Sequence, residues 1–63
     1  MNNVYVGEEP NRNWVPMTVA CAYMDDSIRD QLTWDANGEL DAQEFVDEYS
    51  RRHYEKYGEV FTV

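Results

Sequence analysis

Thr33-Trp34-Asp35-Ala36-Asn37-Gly38-Glu39-Leu40-Asp41-Ala42-Gln43-Glu44-Phe45 reads as a turn running straight into a helix cap. Asp35, Asn37 and Gly38 are turn punctuation, because Asn and Gly tolerate the left-handed backbone and Asx side chains fold back on nearby amides. Asp41 and Glu44 stand at the D-x-x-E spacing of a capping box, with Leu40 placed to staple onto the first helical turn. A helix is expected from Ala42 to Tyr57. Its apolar stripe is Phe45, Val46, Tyr49, His53 and Tyr57, three or four residues apart. On its outer side, Asp47 can pair with Arg51 and Glu48 with Arg52, acid first. Arg51, Arg52 and Lys56 fall in its second half, where cations suit the helix dipole, and Gly58 is a natural C-terminal stop.

Upstream, Asp25-Asp26-Ser27 carries N-cap chemistry, and a shorter helix is expected over 26–33 with Ile28 and Leu32 facing inward. Residues 17–24 (Met-Thr-Val-Ala-Cys-Ala-Tyr-Met) read as a central strand, apolar on both faces, with a helix as the rival reading. Asn3-Val4-Tyr5-Val6 reads as a short strand. Gly7 to Asn13 reads as a turn around Pro10 and Asn11, after which Trp14-Val15 resumes the apolar pattern. Glu59-Val60-Phe61-Thr62-Val63 alternates as a terminal strand would. The expected fold class is α+β: a single domain over 1–63 with a short antiparallel sheet, order ββααβ, and two helices on one face.

A chain of 63 residues buries only about 60% of its unfolded surface, so its core is small. Its 43% hydrophobic content falls in periodic blocks, which argues against disorder. Asp and Glu number 13 against 5 Lys and Arg, a net charge of −8. Such a surface repels nucleic acid and anionic membranes and attracts basic proteins, so neither a direct nucleic-acid partner nor a membrane is expected. The single cysteine rules out an internal disulfide and points to a reducing compartment. No apolar run approaches the ~20 residues of a membrane span. The opening Met1-Asn2-Asn3-Val4 lacks the basic start of a signal peptide. A cytoplasmic protein is expected.

The turn stretch resembles an EF-hand calcium loop. With Gly38 as the sixth residue, Asp35, Asn37, Glu39, Asp41 and Glu44 fall at the third, fifth, seventh, ninth and twelfth positions. Thr33 occupies the first position, where the family has Asp, and a partner hand is absent. The capping box accounts for Asp41 and Glu44 without a metal. Calcium through Asp35, Asn37, Glu39, Asp41 and Glu44 is therefore the alternative reading, and no cofactor is the leading one.

Nothing in the chain makes a catalytic constellation. His53, the only histidine, lies on the inward stripe with no Cys or His at ligand spacing. Cys21 sits among apolar neighbours as a small hydrophobe. A domain of this size has little room for an enclosed pocket, so a non-enzymatic protein is expected.

What remains is acid. Asp25, Asp26, Asp30, Asp35, Glu39, Asp41, Glu44, Asp47 and Glu48 cluster around the helix–turn–helix region. The candidate partner-binding residues are Asp25, Asp26, Asp30, Asp35, Glu39, Asp47 and Glu48, with Trp34 and Tyr54 as aromatic anchors. In size, charge and lack of catalytic motif the chain resembles the small acidic anti-defence proteins of phages and mobile elements, such as anti-CRISPR and antirestriction proteins. The Val4-Tyr5-Val6-Gly7 start followed by Trp14 is also similar to antirestriction proteins of the ArdA kind. The resemblance implies an inhibitor whose acidic face occupies a basic, nucleic-acid-binding protein surface. A homodimeric interaction module is the remaining alternative.

Overall fold

A computed structural model describes residues 2–63. The elements run β1 (Asn3–Val6), β2 (Asn13–Pro16), α1 (Met17–Ala22), α2 (Asp26–Ala36) and α3 (Ala42–Tyr57). β1 and β2 form an antiparallel pair with Val4 opposite Val15 and Tyr5 opposite Trp14. The α+β class holds, with α1 and α3 packed against the hairpin and α2 against α3. Val4 and Val6 are buried beneath them, while Tyr5 and Trp14 face out, as period-two alternation requires.

The expected strand over 17–24 is instead α1 and the turn that follows it. The run carries both periods. At helical spacing, Met17, Ala20, Cys21 and Met24 reach the core while Thr18, Val19, Ala22 and Tyr23 stay out. A strand with two apolar faces needs a covering layer on each side, and this chain supplies helices to one side only. Pro16 adds to this by ending the ladder, since it has no N–H to donate, and it stands at the N-cap of α1. Tyr23 and Met24 close the helix with backbone bonds of 3.1 Å to the carbonyls of Ala20 and Cys21.

The second strand is therefore Asn13–Pro16, and the sheet has two strands. Glu59–Val63 joins no ladder. Its alternation is nonetheless real: Phe61 is buried and Val60 and Thr62 are exposed. At Tyr5, the outer edge of β1 is already occupied. Its N–H donates to Gln43 Oε1 at 2.8 Å and its carbonyl accepts from Gln43 Nε2 at 3.0 Å. A side-chain amide thus takes the bonds a third strand would have made there.

Both long helices obey local chemistry. The Asp25 carboxylate caps α2 by accepting the Ile28 N–H, and α2 ends on Asn37 in the left-handed region. It extends to Ala36, past the expected end at 33. α3 covers the expected residues, with both bonds of the capping box present: Asp41 accepts the Glu44 N–H at 2.9 Å, and Glu44 accepts the Asp41 N–H at 3.1 Å. Gly58 ends it in the left-handed region.

The core is Val4, Val6, Ala20, Met24, Ile28, Leu32, Val46, Tyr49 and Phe61. Each of the larger aliphatic side chains contributes about 1.5–3 kcal/mol by leaving water. Tyr49 stands at the centre, fully buried, edge-on to Phe61 with ring centroids 4.6 Å apart. α3 packs against both β1 and α2, so it joins the hairpin to the helical half.

Candidate functional site

The five basic residues all hold carboxylates of their own chain. Arg12 lies against Glu9, Arg29 against Asp26 and Asp30, and Lys56 3.6 Å from Asp25. Arg51 forks between Glu48 and Glu55. Arg52 reaches across from α3 to α2, with Nη1 2.9 Å from Asp35 and Nε 3.1 Å from Glu48. The expected Glu48–Arg52 pair forms. The expected Asp47–Arg51 pair does not, because Asp47 instead accepts from Gln43 Nε2 at 3.1 Å.

Among the described residues, Glu8, Glu39, Asp41, Glu44, Asp47 and Glu59 have no cationic partner. Glu8 lies in the turn between β1 and β2, and Glu59 follows α3. The other four sit together on the α2–α3 turn and the first two turns of α3. The N-terminal end of the α3 dipole favours anions there, so the fold holds this charge at little cost.

Beside these carboxylates lies a cleft between the end of α2 and the start of α3. Leu32, Ala36 and Leu40 provide its apolar lining. The unpaired Glu39, Glu44 and Asp47 also line it, together with the ion-paired Asp35, Glu48 and Arg52. Leu40 is 36% exposed, so this lining is partly open to solvent.

The candidate residues read from sequence divide accordingly. Asp25 is tied into its own chain. It accepts from Ser27 Oγ at 2.8 Å, the Ile28 N–H at 3.1 Å and the Tyr57 hydroxyl at 3.0 Å. Those donors, Ser27 first, with Lys56 nearby, hold its carboxyl far below the ordinary value. Asp35 is held low chiefly by its bond from Arg52 and then by Gln31. Glu48 is held low chiefly by Arg51, with Arg52 adding to it. Asp26 and Asp30 flank Arg29 on the exposed side of α2. Glu39 and Asp47 remain at the cleft. Trp34 is 82% exposed on α2. Tyr54 lies two turns beyond Asp47 in a second cleft, with Ser50 and Val60.

Glu44 and Leu40 line the cleft, although their spacing reads as cap, calcium ligand and staple, while Asp41, the other member of the capping box, faces Trp14 and Gln43 outside it. The one available signal was that none of them has a cation at i,i+4. The calcium set does not converge. Asp35 lies within α2, Asp41 and Glu44 bond each other's backbone, and no group of three or more His, Cys, Asp or Glu among the described residues is placed to hold a metal ion.

The fold and the charge layout thus define a small α+β domain with self-neutralised cations and one open acidic face. The family described as "Anti-CRISPR protein AcrIC5" matches residues 7–61, nearly the whole chain, and the protein belongs to that anti-CRISPR family. No curated protein and no solved structure matches it. Among the described residues, no helix is long and apolar enough to cross a membrane.

Proposed function

We propose that this protein is a non-catalytic inhibitor of a CRISPR–Cas system, docking its α2–α3 acidic face on a basic, nucleic-acid-binding surface of a Cas protein. Nucleic acid is then excluded by bulk and by charge. Family membership supports the anti-CRISPR role. The observation behind the mechanism is that every basic residue is paired internally, which leaves Glu39, Asp41, Glu44 and Asp47 as uncompensated charge. Carboxylates on a rigid helical face present negative charge at spacings comparable to a phosphate backbone, and a surface built to neutralise phosphates accepts them on the same terms.

The test is competition for nucleic-acid binding by the purified CRISPR effector complex that this protein inhibits, run across a salt series. Affinity should fall steeply with salt. Glu39→Lys and Asp47→Lys should each weaken binding more than Glu8→Lys does. Affinity indifferent to salt, or equal losses at all three positions, sinks the reading.

A further inference from the structure

We infer that the α2–α3 cleft is a socket for one arginine side chain of the partner, an inference that rests on the docking reading above. Two features of the cleft have to be met at once by whatever enters it. Its wall is apolar and partly uncovered at Ala36 and Leu40, while its rim is acidic at Glu39, Glu44 and Asp47. An arginine meets both, since its methylene stem packs on apolar surface while its planar guanidinium forks between carboxylates. Lysine offers a stem but only a point charge, and an anion or a phosphate is repelled.

The rim also has acceptors to give. Glu44 uses Oε1 on the Asp41 N–H, and Asp47 uses Oδ1 on Gln43, and among the described residues nothing donates to the second oxygen of either. Glu39 accepts no side-chain bond among the described residues. Gln43 is itself clamped to Tyr5, so Asp47 is anchored to the hairpin rather than left to swing. The protein's own Arg52 shows the cleft's compatibility with this group. It lines the cleft, bridging Asp35 and Glu48 at 2.9 and 3.1 Å. The partner's arginine takes the unpaired carboxylates in the same manner, one helical turn nearer the start of α3.

Two measurements test the socket. In the first, acetyl-arginine amide and its uncharged analogue acetyl-citrulline amide are titrated into the 15N-labelled protein. Arginine should shift the amides of Ala36, Leu40 and Asp47 selectively, and citrulline should not. Shifts spread evenly over all acidic positions, no shifts with arginine, or equal shifts with citrulline, overturn the proposal. In the second, Ala36→Met fills the cleft and Leu40→Ser removes its apolar wall, neither changing the charge. Each should weaken binding to the effector complex about tenfold, as loss of a buried arginine anchor does, with the salt slope set by the remaining charges unchanged. If both variants fold and bind like the parent while Glu39→Lys and Asp47→Lys weaken binding, the socket is refuted and electrostatic docking stands. If none of the four weakens binding, the docking reading fails with it.

Discussion

The Tyr49 hydroxyl, at the end of a fully buried ring on α3, accepts the backbone N–H of Asp25 at 2.6 Å, directly before the first turn of α2. That bond fixes the start of one helix to the middle of the other. It also satisfies an amide that α2 itself cannot use, because the first N–H groups of a helix have no partner within it. Burial pushes the Tyr49 phenol above its ordinary value, and the neighbouring Asp25 carboxylate adds to that rise. The hydroxyl therefore keeps its proton at neutral pH.

Tyr49→Phe keeps the ring and its edge contact with Phe61 but leaves the Asp25 N–H without an acceptor. The expected loss is about 1–3 kcal/mol, the penalty for an unsatisfied, partly buried donor. Urea unfolding followed by tryptophan fluorescence measures it. A change below a few tenths of a kcal/mol shows that water replaces the hydroxyl.

Asp25 makes stability fall in acid. Its folded carboxyl titrates below its unfolded value of about 4, so below that value the unfolded chain binds the extra proton. The contribution is complete above about pH 5 and is lost progressively as pH falls through the folded value. Asp35 and Glu48 add losses of the same sign. Asp25→Asn should lower stability at pH 7 and flatten its decline between pH 5 and pH 2. An unchanged decline in the variant contradicts the assignment.

Gly7 and Gly38 should respond differently to alanine. Gly7 sits at φ +106°, and an added Cβ would lie 3.3 Å from the Asn11 carbonyl oxygen. Gly38 sits at φ +75° with open space around it. Gly38→Ala is expected to cost about 1 kcal/mol from left-handed backbone alone. Gly7→Ala should cost more, about 2–3 kcal/mol, because its backbone region is closed to a side chain and the turn must also move. Equal losses by chemical denaturation count against the contact with Asn11.

Gln43 closes the β1 edge, and Gln43→Leu should open it. The Tyr5 amide should exchange its hydrogen faster than in the parent, with about 1 kcal/mol lost overall. Exchange at Val4 and Val6, which face β2, should change less. Identical protection of Tyr5 in parent and variant rules out the clamp.

What sequence determined is what neighbours along the chain decide. The capping box at Asp41 and Glu44, the span of α3, its Gly58 stop and the Asp25 cap of α2 all follow from residues within four positions of each other. The α+β class, the inward Ile28 and Leu32 of α2 and the stripe of α3 as far as His53 follow from period alone, while Tyr57 at the end of that stripe is exposed. The anti-defence resemblance comes from size, charge and the lack of a catalytic motif, and the family match supports its anti-CRISPR part.

Only the tertiary structure decided the rest. Met17–Met24 holds a helical and a strand pattern at once, and the choice fell to how many layers the chain could build around it. Glu59–Val63 alternates as a strand would, yet Met17–Ala22 is a helix and offers it no ladder, and at Tyr5 the edge of β1 is held by Gln43, which is 38 residues away along the chain. The acidic face is the clearest case. Asp25, Asp35, Glu39 and Asp47 look alike in sequence, but Lys56 and Arg52 cross from α3 to α2 and occupy the first two. An ion pair acts over a few ångströms, and which charges lie that close is set by how helices pack. That packing leaves Glu39 and Asp47 open, beside a cleft that does not exist until α2 and α3 meet.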